Sequence, residues 1–301
     1  MQLGFVSAIL PELDLEHVLR FAGESGFATV EIMCWPTGRA ERRYAGVTHL
    51  DVADFSDRDV QRVHQLTQKY GVSISALGYY PNPLCADDEE AATFIAHMKK
   101  TITAAAMLGI GKFTTFVGRD PKMMLDDNWE RFDRRWPHIV RHTEASGVKI
   151  GIENCPMLFS RDEWPGGKNM AISPRVWREM FRRVDSPSFG LNYDPSHMIL
   201  QFMDPAKPIR EFGGRIVHVH AKDLKIVREK LDDVGIFDFG WNVPKLPGLG
   251  DVNWPVFFAA LTEARYDGPV CIEVEDRAYE GSLQDRKRAL LQSKRFLENY
   301  M

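Results

Sequence analysis

No apolar run in the 301 residues approaches the roughly 18 consecutive positions of a membrane-spanning helix, and Met1-Gln-Leu leads directly into a strand-like segment with no basic stretch or cleavage site before it. Neither a membrane nor an export route is expected. Basic excess is also missing: 38 Lys and Arg against 42 Asp and Glu leave a net charge of −4, and the cations are spread along the chain. Nucleic acid and anionic membranes are therefore not the expected partners, and a small molecule is. Cysteine is scarce. Cys34, Cys85, Cys155 and Cys271 form no C-x-x-C pair, and three of them fall in or beside strand-like segments, where buried free thiols are common. Reduced thiols in a cytoplasmic protein are the expectation. No G-x-G-x-x-G or G-x-x-x-x-G-K-[ST] follows any strand, so the signatures of dinucleotide and phosphate-loop folds are lacking. With no linker to divide it and a hydrophobic fraction of 44%, the chain is expected to form a single domain over residues 1–301.

What is present is a regular alternation. Strand-like segments lie at about 2–7, 28–33, 72–77, 112–116, 149–153, 189–194, 216–220 and 270–274. Amphipathic stretches with start and stop signals fall between them, at 14–24, 57–70, 88–108, 126–146, 173–184, 208–212 and 253–264, and a last one spans 282–298. Repeated strand-helix-strand units imply parallel strands with right-handed crossovers. Eight of them over more than about 250 residues imply a closed α/β barrel of the (β/α)8 type.

Four segments of the second half each end in a metal-binding side chain: KIGIE (149–153), FGLNYD (189–194), IVHVH (216–220) and VCIE (270–273). The period of two in a strand turns Ile150, Ile152, Leu191, Tyr193, Val217, Val219, Ile272 and Val274 outward. Gly151 and Glu153, Asn192 and Asp194, His218 and His220, and Cys271 and Glu273 then look inward. In such a barrel the active site forms at the C-terminal strand ends, where these residues stand. Three carboxylates and an imidazole meeting in a mostly buried space need their charge compensated, most simply by a divalent cation. Two long segments, 155–173 and 222–251, exceed ordinary loop lengths and are expected to wall or cover the mouth.

The motifs IGIEN (150–154), DPSH (194–197), HVHAKD (218–223), PGLGDVNW (247–254) and CIEVE (271–275) together resemble the sugar isomerase and epimerase superfamily with the xylose isomerase-like barrel, which includes ketose 3-epimerases, inosose dehydratases and endonuclease IV. The resemblance runs the length of the chain. It implies that Glu153, Asp194, His220 and Glu273 hold a metal, that His197 binds a substrate oxygen, and that Glu153 and Glu273 transfer protons. Pairing through loops at the mouth is common in the family, which implies a possible homo-oligomer. The sequence departs from the ketose epimerases after strand seven, where Lys222-Asp223 stands and the nearest later arginine is Arg228. Endonuclease IV adds histidines at the ends of strands three and four for a three-zinc centre; here ALGYYP (76–81) and FTTFVGR (113–119) contain none. One metal is expected.

An oxygen-rich set of this kind suits Mn²⁺, Mg²⁺ or Co²⁺ in six-fold coordination, with Zn²⁺ also compatible, and leaves two positions for adjacent oxygens of a sugar, keto-sugar or cyclitol. The expected chemistry is proton abstraction next to a metal-bound carbonyl through an enediolate, with Glu153 and Glu273 as acid and base. Isomerisation, epimerisation and loss of water, as in an inosose dehydratase, share that intermediate. A non-catalytic, metal-stabilised sugar-binding barrel is the alternative from another class. Trp35, Tyr79 and Tyr80 are candidate walls for a sugar ring, although aromatics there are as often plain packing. Lys222 is a candidate for a substrate hydroxyl or phosphate, or else a salt-bridge partner of Asp223 or Asp251. His218 reads as a hydrogen-bonded inward residue, Glu31 as a structural partner low in the barrel, and Glu275 as a support for the site.

Overall fold

The computed structural model describes residues 1–38, 45–156 and 167–301. In chain order its strands are β1 Gln2–Val6, β2 Thr29–Met33, β3 Ser73–Gly78, β4 Lys112–Thr115, β5 Lys149–Glu153, β6 Phe189–Tyr193, β7 Ile216–Ala221, β8 Asp223–Ile226, β9 Asn242–Lys245 and β10 Pro269–Ile272. All but β8 and β9 pair in parallel and close into a barrel in the order β1-β10-β7-β6-β5-β4-β3-β2. The ring shuts where β1 pairs with β10, Gly4 facing Cys271. The fold is thus a (β/α)8 barrel, as the alternating pattern implies.

The helices are α1 Leu15–Glu24, α2 Asp57–Tyr70, α3 Asp88–Met107, α4 Asn128–Ala145, α5 Pro174–Arg183, α6 Ser196–Leu200, α7 Lys207–Phe212, α8 Arg228–Val234, α9 Trp254–Glu263 and α10 Leu283–Leu297. Their ends follow local chemistry. Ser56 and Asp59 form a capping box that starts α2, and Gly71, at φ 65°, ends it in the left-handed conformation that glycine adopts without strain. Asp87 accepts from the backbone N–H groups of Glu89 and Glu90 to start α3.

The outward strand residues supply the core. Phe189 lies 5.3 Å from Trp136 of α4, and Tyr193 stacks on Phe257 of α9 at 6.1 Å and 12°. Each such large side chain, buried fully, contributes about 1.5–3 kcal/mol. The inward residues form a polar column instead, and one glycine makes room for it. A Cβ on Gly78 would stand 2.7 Å from Glu31 Oε1, so any side chain there would displace that carboxylate.

Four elements escape the sequence pattern. Segment 222–251 folds into the antiparallel β8–β9 hairpin with α8 between its arms, and α6 follows β6 directly. Four-residue strands, one containing Pro244, are too short to show a period. Of the 155–173 segment expected as a wall, residues 157–166 lie outside the described residues. No helix among the described residues is long and apolar enough to cross a membrane.

Candidate functional site

The four predicted ligands converge. Glu153 ends β5, Asp194 follows β6, His220 lies near the end of β7 and Glu273 follows β10. One donor atom from each falls within 4.8 Å of the other three. His220 Nδ1 stands 3.8 Å from Glu153 Oε1 and 3.6 Å from Glu273 Oε2.

Local bonds fix this arrangement. Asn154 links the ends of β5 and β6, donating from Nδ2 to the Asp194 carbonyl at 2.9 Å and accepting from the Asp194 N–H at 2.8 Å. Asp194 Oδ1 accepts from the Ser196 N–H at 2.8 Å at the start of α6, which leaves Oδ2 turned to the centre. Asn169 donates to the carbonyls of Glu153 and Cys155 and so ties the end of β5 to the segment that returns over it.

The site carries two basic side chains of its own. His197, on α6, places Nε2 3.1 Å from Glu153 Oε1 and 3.2 Å from Asp194 Oδ2. Lys222 places Nζ 2.6 Å from Glu273 Oε2 and 3.1 Å from both Asp194 Oδ2 and Glu275 Oε2. The alternative pairing of Lys222 with Asp223 or Asp251 is corrected. Asp223 accepts from the N–H groups of Leu224, Gly248 and Val252 and from the Trp254 indole, and Asp251 pairs with Lys225. Because the β7 backbone turns Lys222 inward and Asp223 outward, neighbours in sequence serve different sites. Glu275 contacts the cluster through Lys222.

Electrostatics follow from these contacts. Burial disfavours charge on Glu273, yet Lys222 beside it holds the carboxyl down at about 2. Glu153 is likewise held well below the usual carboxylate range, against burial, by the hydrogen bond from His197 and by the nearby His220 and Lys222. Lys222 is pushed up, against burial, by Asp194 and Glu273. Burial pushes His218 down to about 3, so it stays neutral between Asn192 Oδ1 and Ser75 Oγ, at 3.0 and 3.1 Å, and is not a further ligand of the quartet.

The residues fit a divalent cation. His220 Nδ1 is fully buried without a hydrogen-bond partner, Asp194 Oδ2 has only its ionic contacts with His197 and Lys222, and both atoms belong to the converging set. Buried polar atoms are normally satisfied, and a cation shared by three carboxylates and an imidazole satisfies both at once.

Above the quartet opens a cavity of about 230 Å³. Its polar side presents Glu153, His197, Lys222 and Glu273, and its apolar side Trp35, Tyr80 and Phe116. Asn242 and Pro244 of the hairpin line part of the cavity, so segment 222–251 contributes a wall at the mouth. Tyr79 does not reach this cavity. Its ring packs edge-on against Trp35 at 5.0 Å and faces a neighbouring cavity, while Tyr80 takes the wall position. Sequence reasoning missed the roles of Asn154 and Asn169, and set Glu31 too far from the chemistry: its carboxylate contacts His220 directly.

A model of the xylose isomerase-like TIM barrel family matches residues 19–300. The chain belongs to that family. Among similar proteins, the uncharacterised YfiH protein of Bacillus subtilis is 28% identical over 312 residues, spanning 92% of this chain and 93% of its own. The inosose dehydratase of Clostridium tetani is 34% identical over 152 residues, a match that spans 48% of each. Among solved structures, the IolI protein with a bound zinc atom superposes with a TM-score of 0.73 at 16% identity, covering 100% of this chain and 99% of that one. D-psicose 3-epimerase from Clostridium cellulolyticum H10 superposes with a TM-score of 0.72 at 16% identity, covering 100% and 99%. At these identities the structural likeness is one of fold.

Proposed function

We propose that this xylose isomerase-like barrel is a divalent-metal-dependent isomerase or epimerase of a sugar, keto-sugar or cyclitol. The observation that carries the proposal is the approach of Glu153 and Glu273, three strands apart in the ring, to within 4.8 Å of each other and of Asp194 and His220. Glu153, Asp194, His220 and Glu273 would hold Mn²⁺, Mg²⁺ or Co²⁺, with Zn²⁺ also compatible. The bound ion would supply Lewis acidity toward a substrate carbonyl.

The side chains do the rest. One of the two glutamates takes the proton from the carbon beside the carbonyl, and the other returns a proton from its own side of the ring, which inverts that carbon. His197 is placed to hold a substrate oxygen, and Trp35, with Tyr80 and Phe116, packs against the apolar face of the ring. The buried Lys222 ammonium, 2.6 Å from Glu273, favours a second reading. It is a proton donor placed beside the base, suited to a departing hydroxyl, and with the inosose dehydratase relative it supports a lyase acting on a keto-cyclitol.

Solvent deuterium exchange into keto-sugars and inososes tests the proposal. The metal-loaded protein should exchange the proton beside the carbonyl. Glu153→Gln and Glu273→Gln should each slow exchange by about 10²–10⁴-fold and weaken metal binding. Retained exchange in both variants would remove these residues from the mechanism. Loss of water from the product marks the lyase, and a mere sugar binder exchanges nothing.

A further inference from the structure

We infer that Glu31 is the positioning residue of the metal site, the acceptor that takes the Nε2 proton of His220 and so commits Nδ1 to the cation. The inference rests on the proposed metal site and adds to it a residue from the far side of the barrel. Glu31 lies on β2, is fully buried, and does not line the substrate cavity. Its Oε2 is 2.7 Å from His220 Nε2.

The hydrogen-bond inventory decides which nitrogen carries the proton. Two other polar atoms approach Nε2: Asn192 Nδ2 at 3.0 Å and the Tyr80 hydroxyl at 3.5 Å. The Asn192 amide nitrogen can only donate, and it donates to the Tyr80 oxygen at 3.2 Å. Tyr80 spends its own proton on Glu31 Oε1, at 2.6 Å. The Glu31 carboxylate is therefore the strong acceptor within reach, and Nε2 must be protonated to face it. Nδ1, with no hydrogen-bond partner of its own, keeps its lone pair for a cation among Glu153, Asp194 and Glu273.

Glu31 is itself held. Oε1 accepts from Tyr80 and from Thr114 Oγ1, both at 2.6 Å, and the missing side chain at Gly78 leaves space for it. Glu31, His218 and His220 cluster closely enough to invite a second ion. Both nitrogens of His218 are already engaged, with Asn192 and Ser75, which favours the positioning role. A carboxylate behind a ligating imidazole fixes its tautomer and raises its basicity, and losing it typically weakens metal affinity 10–100-fold.

The test compares wild type and Glu31→Gln by calorimetric titration with Mn²⁺ and Zn²⁺, and by ¹⁵N spectra of the imidazoles in chelator-treated protein at a pH high enough for His220, whose carboxylate neighbours raise its pKa against burial, to carry a single proton. The expected result is metal binding 10–100-fold weaker, with the His220 signals moving from an Nε2-protonated form to a tautomer mixture. Activity should return at saturating metal, because Glu31 touches no substrate. If Glu31→Gln does not fold, Tyr80→Phe and Thr114→Val each remove one bond to Oε1 and should weaken binding a few-fold in the same direction. Unchanged affinity and an unchanged tautomer in a folded variant would overturn this inference and leave the proposed function standing. Two ions per chain would overturn it in favour of a second metal. A wild type that binds no divalent ion would overturn both.

Discussion

Lys222 governs the charge balance at the barrel mouth. Its ammonium is shared by Asp194, Glu273 and Glu275, so the three carboxylates are held together before any ion arrives. Removing one member of a buried ionic cluster typically costs about 3–5 kcal/mol, because the partners are left uncompensated. Lys222→Met should accordingly lower the melting temperature of chelator-treated protein by several degrees and depress it much less when metal is saturating. Equal losses in both states, read by calorimetry, would assign Lys222 to packing alone. The residue scale is also where the sequence was most and least legible. Glu153, Asp194, His220 and Glu273 could be read because a period of two and four strand ends place them together. The partners of Lys222 could not, because they depend on the register between β7 and β10, where Cys271 pairs with His220. Glu31 announced itself as a charge between Val30 and Ile32 that must find a buried partner. That its partner stands 189 positions away in the chain is a matter of barrel geometry.

At the scale of elements, two weaknesses in the scaffold can be measured. Arg265, just past the end of α9, adopts φ 56°, a left-handed conformation that costs most side chains about 1–2 kcal/mol. Glycine is at ease there but is freer in the unfolded chain. Arg265→Gly should therefore raise stability by a net amount of about 0.5–1 kcal/mol, checked by denaturant unfolding. Lys112 of β4 pairs in register with Lys149 of β5, two like charges side by side, and burial together with Lys149 pushes Lys112 below its usual range. Lys149→Glu should gain about 0.2–1 kcal/mol at low salt, with the gain fading as salt rises. A gain insensitive to salt would point away from charge. Barrel strands were legible to within a residue or two, because each is an apolar run closed by turn chemistry. The hairpin was not, since its arms are held by Asp223, Trp254 and Asp251 rather than by a pattern of their own.

For the whole molecule, folding and the proposed metal binding would share one free energy. The candidate ligands come from the ends of β5, β6, β7 and β10, so no fragment lacking part of the second half could assemble the set. An ion that binds only the closed ring stabilises it by about 2.7 kcal/mol at a hundredfold excess over Kd. For a chain of this size that is a rise of roughly 5 °C in Tm, reversible by chelation. Calorimetric scans with and without chelator check it, and identical traces would count against a metal held by the barrel.

The clasp at Asp223 has a further consequence. It fastens the root of the hairpin to the turn before α9, one residue along the backbone from Lys222, and the chain between Ile226 and Asn242 lies beyond that fastening. Length and composition in that outer stretch can therefore drift without moving the ammonium or the ligands. A lineage built on this barrel can try new coverings, and so new substrates, while its chemistry stays still.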